Sequence, residues 1–260
     1  MDLKFIMNLW LYFIIYSFIG WLYESILKTI TQKKIVNSGF LFGAFCPIYG
    51  AGAVIMLVFL DWLQGSNILL FITAFFILSI WEYLVGFFLE KMFNTKYWDY
   101  SNLKFNIKGR VSLQTSLVWG GFSVIFINFL HPLLERFIDI IPVNALNYIS
   151  VIALIYLIVD TTVSVIKVNN INIRLEKLSE IGDIIKEKLE ELKLETEKSL
   201  QLEKLQVVID ELKEKQLELK EKLEKQSKRL KRAFPDMKAQ IKQRKAEIKE
   251  RIEEIKNRVK

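Results

Sequence analysis

Long apolar runs separated by short polar stretches dominate the first two thirds of the chain. Five of them reach the roughly 20 residues that a helix needs to cross a hydrocarbon core about 30 Å thick. They cover residues 5–27, 39–60, 68–93, 111–134 and 143–166. Soluble cores seldom repeat apolar helices of this length, so the pattern predicts an all-α bundle of five membrane spans. We interpret the first run as a span because it is too long for a signal peptide and no small-residue cleavage site follows it.

After Lys167 the apolar residues recur at steps of three and four, and Glu and Lys fill most other positions. This spacing predicts a coiled-coil helix with a slip of register near Thr196–Gln201, and a lone charged helix is the alternative. Phe234-Pro235 ends this helix because proline disfavours helical geometry in the residue before it. We therefore predict a transmembrane domain, a coiled-coil helix and a basic C-terminal helix, over residues 1–168, 169–234 and 235–260.

Charge separates along the chain as sharply as hydropathy does. Residues 1–170 contain 11 Lys/Arg and 9 Asp/Glu, whereas residues 171–260 contain 25 and 20. Within this tail, residues 225–260 carry 14 cations and 5 anions. The basic end could pair with the acidic first part of the tail, or meet anionic lipid or an acidic partner. No aromatic platform accompanies the cations, which argues against nucleic-acid binding.

The positive charges in the short loops predict the orientation of the spans. The segment between the first and second runs has three Lys/Arg, and the segment between the third and fourth has five when Lys91, at the end of the third run, is counted with it. The other two connections have none and one. This alternation predicts a multi-pass protein of the cell membrane, with its N-terminus outside and its C-terminal tail in the cytoplasm.

The residue types needed for several chemistries are scarce. Cys46 is the single cysteine and His131 the single histidine, so neither a disulfide, a zinc site nor Ser/His catalysis is expected. No Gly-x-x-x-x-Gly-Lys-Ser/Thr motif is present to cradle a nucleotide phosphate. We therefore predict a protein without cofactor or metal that is not itself an enzyme, and any ATP that drives it must be bound by a separate subunit.

Carboxyl groups within apolar spans are costly and usually face a polar cavity or a partner. With the predicted orientation, Glu24, Glu82, Glu90 and Asp160 all fall in the cytoplasmic half of the bundle. Glu24 and Glu90 could instead be interfacial residues anchored by lysines. Pro47 is expected to kink the second span, so that a freed carbonyl and nearby polar groups line a cavity, although a simple packing kink would look the same.

The segment from Glu90 to Arg110 is rich in aromatic, amide and charged residues and poor in glycine, which indicates a folded loop. We predict that it caps the cytoplasmic side, with Arg110 as counter-ion to Glu90 or Glu24, and either gates a cavity or docks a partner. The predicted polar cluster, which could bind substrate or serve the structure, comprises Glu24, Asn37, Pro47, Tyr49, Glu82, Glu90, Trp98, Asp99, Tyr100, Asn106, Arg110 and Asp160.

Several separated motifs carry a family resemblance across roughly residues 5–140. They are Gly20-Trp21-Leu22-Tyr23-Glu24, Asn37-Ser38-Gly39-Phe40, Cys46-Pro47-Ile48-Tyr49-Gly50, Glu82-Tyr83, Trp98-Asp99-Tyr100-Ser101, Phe105-Asn106-Ile107-Lys108-Gly109-Arg110 and Trp119-Gly120. In order and spacing they resemble the type IV ABC-transporter permease family. The chain departs from the pattern at Ser38, where we expect Arg, and at Ala44, where we expect Pro. A cation is therefore missing from the first predicted cytoplasmic loop.

The resemblance implies a membrane subunit of a transporter that works with a separate ATP-binding subunit. Five spans are few for a permease, so a homo-oligomer formed through the membrane domain or the coiled coil is implied as well. Two other functions stay open at this point. One is a membrane-anchored scaffold or signalling protein that acts through its coiled tail, and the other is an intramembrane enzyme that modifies a lipid.

Overall fold

The chain forms seven α-helices and one short hairpin in the part that the computed structural model describes, which is residues 3–194, 199–235, 243 and 246. The helices are α1 (Leu3–Gln32), α2 (Pro47–Phe59), α3 (Asn67–Phe93), α4 (Leu113–Ile125), α5 (His131–Ile138), α6 (Val143–Leu194) and α7 (Ser199–Ala233). A 3-10 turn, Asp61–Leu63, follows α2, and a π-helical segment, Phe126–Leu130, joins α4 to α5. The strands β1 (Asn106–Ile107) and β2 (Val111–Ser112) form an antiparallel pair. The expected all-α class is thus found.

Four helical segments are long and apolar enough to cross a membrane: Phe5–Gln32, Asn67–Phe93, Leu113–Ile138 and Val143–Ile185. They correspond to the first, third, fourth and fifth predicted spans. The second predicted span, residues 39–60, contains only the 13 residues of α2. At 1.5 Å per residue this helix measures about 20 Å, which is short of a hydrocarbon core. Five spans therefore remain a prediction.

The kink predicted at Pro47 is wrong, because α2 begins at this residue. Proline suits the first turn of a helix, where its missing N–H would have no intrahelical partner. The residues before it form a loop in which Gly39 has φ +86°, a backbone conformation that favours glycine. The apolar residues 39–46 therefore belong to a packed loop rather than to a spanning helix.

The first unit consists of two helical hairpins, in which α1 packs against α2 and α3 against α4. Glycines allow the helices to approach closely. A Cβ at Gly20 of α1 would overlap the Tyr49 ring of α2, and one at Gly120 of α4 would lie 3.1 Å from the Phe71 carbonyl of α3. The two hairpins enclose a hydrophobic core whose fully buried members include Leu60, Leu70 and Ile127.

The chain divides into two compact units. The first comprises residues 1–164 together with Arg232–Phe234, and the second comprises residues 165–231 and 235–260. Helix α6 runs through the domain boundary predicted at residue 168 without a break, and the three domains predicted stay a prediction.

Heptad-spaced positions in the second unit are buried. In α7 they are seven residues apart, namely Ile209, Gln216, Leu223 and Leu230. Residues at this spacing share one face of a helix, as the predicted coiled coil requires. The register slip is predicted near Thr196–Gln201 and the basic helix over residues 235–260. Residues 196–198 of the first segment and nearly all of the second lie outside the described part of the chain.

Candidate functional site

Two long loops, residues 33–46 and 94–112, lie together at one end of the first unit, which we call the loop end. The Phe40 ring of the first loop lies 5.2 Å from the ring of Phe93, at the end of α3, and 5.7 Å from the ring of Tyr97 in the second loop. Nine of the twelve predicted site residues lie in these loops or in the adjoining turns of α2 and α3, and Glu24 and Glu82 lie about two and three turns before the ends of α1 and α3. Asp160 of α6 reaches the same end through the first loop.

Glu24 is joined to the first loop through Lys28. The Lys28 ammonium donates hydrogen bonds to Glu24 Oε1 at 2.6 Å and to Ser38 Oγ at 2.9 Å. Cys46 Sγ lies 3.7 Å from the other oxygen of Glu24. Lys28 thus supplies a positive charge beside Ser38, where the resemblance leads us to expect an arginine.

Asn37 and Asp160 shape the first loop through backbone contacts. The Asn37 side chain accepts a hydrogen bond from Trp21 Nε1 at 2.7 Å and donates one to the Phe42 carbonyl at 2.7 Å. Asp160 accepts from the Phe42 N–H at 3.0 Å and from the Gly43 N–H at 2.8 Å. Two buried amides are thereby satisfied by one carboxylate, so Asp160 serves the loop structure here.

Glu82 lies on α3 between the two hairpins and is only 5% exposed. The Tyr100 hydroxyl, from the second loop, donates to Glu82 Oε1 at 3.1 Å. The polar groups of Thr115 and Trp119 on α4 also lie near this carboxyl, although neither completes a hydrogen bond to Oε2. Tyr49 closes the other side, with its ring 6.2 Å from that of Trp119.

Arg110 pairs with Glu90, one of the two counter-charges expected for it. Its Nε and Nη2 both lie 2.9 Å from Glu90 Oε2, and its Nη1 donates to the Tyr83 hydroxyl at 3.1 Å. The guanidinium also lies over the rings of Tyr83 and Phe87, at 5.2 and 5.3 Å. A guanidinium held by a carboxylate and two aromatic faces has little freedom to move, so this contact ties the second loop to α3.

Trp98 and Gly86 complete the same contact. Trp98 Nε1 donates to the Arg110 carbonyl at 2.9 Å, and a Cβ at Gly86 would lie 3.2 Å from the Trp98 ring and 3.4 Å from Arg110 Cβ. A small cleft beside Gly86, lined also by Leu89 and Lys96, has room for about one water molecule.

Asp99 and Asn106 organise the interior of the second loop. Asp99 Oδ1 accepts from the Ser101 N–H at 3.0 Å and from its hydroxyl at 2.5 Å. The partial burial of Asp99 opposes ionisation, but the hydrogen bonds from Ser101 and Lys96 outweigh it and lower the pKa of Asp99. Asn106 donates to the Leu103 carbonyl at 2.8 Å and accepts from the Gly109 N–H at 3.0 Å. This loop is therefore a folded element held by its own side chains.

The tip of the second loop exposes apolar side chains between cations. Phe105 is 79% exposed and Ile107 58% exposed, and the exposed residues Lys104 and Lys108 alternate with them. Lys108 and Gly109 both have positive φ, and the Arg110 N–H donates to the Ile107 carbonyl at 3.0 Å. This tight turn presents the tip at a defined position.

Sequence reasoning did not anticipate the surroundings of Tyr97. Its ring meets that of Phe234 edge to face at 4.8 Å, and Lys28 lies 5.1 Å from the Phe234 ring and 2.5 Å from the Ala233 carbonyl. Burial raises the pKa of the Tyr97 hydroxyl well above its usual range. The aromatic pair Phe93 and Tyr97 in the sequence was the one available signal, but nothing in it pointed to a residue 137 positions away.

His131 was also missed, because a single histidine offered no partner in the sequence. It is buried at the end opposite to the loops, with Nδ1 3.1 Å from the Tyr16 hydroxyl and its ring stacked on Phe126. The Tyr12 hydroxyl lies 3.5 Å from Glu135 Oε1 in the same cluster. The π-helical segment before His131 places it there, and such segments often accompany functional positions.

The described residues contain no group of three or more His, Cys, Asp or Glu that could hold a metal ion. At the loop end they instead provide three carboxylates paired with a cation, Glu24, Glu90 and Asp99, and two buried carboxyls without one, Glu82 and Asp160. Such an arrangement can bind a positive charge or a proton, and the roles predicted for these residues stay predictions.

The four membrane-length helices are typical of a membrane protein. The chain belongs to the family described as "Putative ABC-transporter type IV", whose model matches residues 11–165. This match confirms the resemblance seen in the motifs. No curated protein and no solved structure matches the chain.

Proposed function

We propose that this chain is the permease subunit of an ABC-type transporter and that its second loop docks a separate ATP-binding subunit. The observation that carries the proposal is the rigid tip around Phe105, which exposes an aromatic and an aliphatic side chain between two lysines. Aromatic anchors surrounded by polar residues are typical of protein interfaces. Family membership supports the same conclusion.

The internal contacts of the loop suit it to transmit movement. A displacement of the tip would act on α3 through the ion pair of Arg110 and Glu90, in which two guanidinium nitrogens contact one carboxylate oxygen. It would also act on the centre of the unit through Tyr100 and Glu82. A partner that changes shape with nucleotide would thus move side chains between the two hairpins, where a solute could pass.

The remaining features follow from the distribution of charge. Lysine and arginine concentrate in the two loops of the loop end, and by the positive-inside rule this supports a cytoplasmic position for this end and for the tail of a cell-membrane protein. The buried seven-residue repeat of α7 supports a coiled coil formed within the chain. The substrate would enter a polar cavity near Glu24 and Glu82, opened by movement of the second loop.

A photoreactive amino acid at position 105 tests the docking surface in the native membrane. Trp62 is the matched control, because it is 76% exposed but lies in the turn after α2, at the opposite end of the unit. We expect position 105, and not position 62, to crosslink to a protein that binds and hydrolyses ATP. The variant Phe105→Asp should lose copurifying ATPase activity.

Two results would refute the proposal. One is a position 105 that crosslinks only to lipid, which would make Phe105 a membrane anchor. The other is an ATP-binding partner that copurifies equally with the wild type and with Phe105→Asp, since its binding would then not depend on the tip.

A further inference from the structure

Two carboxyl groups are buried among the described residues, and their surroundings differ. Asp160 accepts hydrogen bonds from two backbone amides, as described above. Glu82 accepts one from the Tyr100 hydroxyl at Oε1, while its Oε2 is buried and has no hydrogen-bond partner among the described residues. Glu82 is therefore the buried acid whose ionised form is least compensated.

The cations of the loop end that form ion pairs do so with other carboxylates, and Lys96 pairs with Asp99 at 3.2 Å. Arg110 contacts Glu90 and the Tyr83 hydroxyl, and Lys28 contacts Glu24 and two oxygens of other residues.

The elements that pack around Glu82 present uncharged groups to it. They are Ser79 one turn earlier on α3, Thr115 and Trp119 on α4, Tyr100 on the second loop and, behind Trp119, Tyr49 on α2. A carboxylate there would be a buried charge without a counter-ion, which is strongly unfavourable within a membrane.

We propose that Glu82 is a proton-binding site, which holds an exchangeable proton at neutral pH in the conformation described. The Tyr100 hydroxyl donates to Oε1, and the proton is assigned to Oε2, the buried oxygen that accepts no hydrogen bond from any described residue. The site thus binds a proton, and the group that binds it is the single carboxyl of Glu82. This inference concerns the chain alone and holds whether or not an ATP-binding subunit docks on the second loop.

The second loop controls access to this proton. The Tyr100 N–H donates to the Gly109 carbonyl at 2.7 Å, so the tyrosine that covers Glu82 is fixed to the turn between β1 and β2. When the turn is in place, Tyr100 occupies Oε1 and water does not reach the carboxyl. When the turn moves, Oε1 is released, water enters and the proton exchanges.

Infrared difference spectroscopy of the full chain in lipid tests the site directly. The spectrum of the wild type minus that of Glu82→Gln should contain the C=O stretch of a carboxylic acid at neutral pH, and this band should move in D2O. The matched variant Glu90→Gln should leave it in place, because Glu90 is paired with Arg110. A difference spectrum with only carboxylate bands would overturn the proposal, as would an acid band that does not move in D2O.

Tyr100→Phe keeps the test decisive even if Glu82→Gln does not fold. Removing the donor to Oε1 should move the acid band to higher frequency, and an absent or unmoved band would contradict the assigned hydrogen bond.

The control exerted by the second loop is tested with Gly109→Ala, which should make the acid band shift several-fold faster after transfer to D2O. Gly121→Ala, whose Cβ would meet no atom within 4 Å, should not change it. Equal exchange rates in these two variants would refute control by the loop.

Discussion

Asp160→Asn should loosen the first loop without disturbing α6. Asp160 Oδ2 accepts from the Gly43 N–H at 2.8 Å, and Oδ1 accepts from the Phe42 N–H at 3.0 Å. An asparagine has a single oxygen. Its less costly orientation turns this oxygen to the Gly43 N–H, because the Phe42 N–H, which then faces the NH2 group, keeps Ser164 Oγ as an acceptor at 3.2 Å.

The size of the effect follows from the two weakened contacts. Each loop amide exchanges a hydrogen bond to a charged group for one to a neutral group, which costs roughly 1 kcal/mol per amide and about 2 kcal/mol in all. Since about 1.4 kcal/mol corresponds to a factor of ten, the loop should open roughly 30-fold more often. Hydrogen exchange measured by mass spectrometry should report this as roughly 30-fold faster exchange at the two amides, with the helical amides of α6 unchanged.

Thr162→Ala is the matched control for this experiment. Thr162 lies two residues further along α6, is exposed, and bonds only within its own helix, to the Ile158 carbonyl at 2.8 Å. Its substitution should leave exchange in residues 37–46 at the wild-type rate. Unchanged exchange in Asp160→Asn, or an equal acceleration in Thr162→Ala, would refute the view that the Asp160 carboxylate holds the loop.

Two further predictions concern the second loop. Gly109→Ala should increase tryptic cleavage within the loop several-fold, because Gly109 has φ +71° and a Cβ there would overlap Asp99 and lie 2.6 Å from Ser101 Oγ. Gly121→Ala serves as control, and equal cleavage of the two variants would contradict the prediction. The lowered pKa of Asp99 means that its ionised form is stabilised by folding. This contribution is present above the ordinary pKa of 3.8 and is lost as the pH falls through the lowered value. Hydrogen exchange in the loop should therefore rise on acidification in the wild type, whereas Asp99→Asn should show faster exchange at neutral pH and a weaker response to acid.

The membrane-length helices could be predicted from the sequence because their signal is local. Spanning length and apolarity belong to each segment by itself, and four of the five predicted runs coincide with such helices. The predicted ends of these runs agree less well with the ends of the helices. The fourth run was placed at residues 111–134, whereas the helix begins at Leu113, after a strand and a Ser112 cap, and continues to Ile138.

The second run shows where hydropathy misleads. Residues 39–46 are apolar enough to resemble the start of a span, but they form a loop packed against α6. Asp160 binds the Phe42 amide across 118 positions of sequence, and the Tyr156 hydroxyl occupies the space that a Cβ at Gly43 would need. No pattern within residues 39–60 contains these contacts. An apolar loop buried by protein and an apolar helix buried by lipid have the same composition.

The sequence by itself determined the apolar first part, the charged tail and the folded character of the second loop, and left Glu90 and Glu24 as alternative counter-ions of Arg110. These depend on residue type and on separations of about 20 residues or fewer. Only the tertiary structure decided which groups surround Glu82 and that the Tyr97 ring contacts the Phe234 ring. It also decided that Lys28 supplies the positive charge beside Ser38, the position at which an arginine is expected. The reason is physical. A costly buried group predicts that some partner or proton must exist, but only the packing of helices distant in sequence determines which group that is.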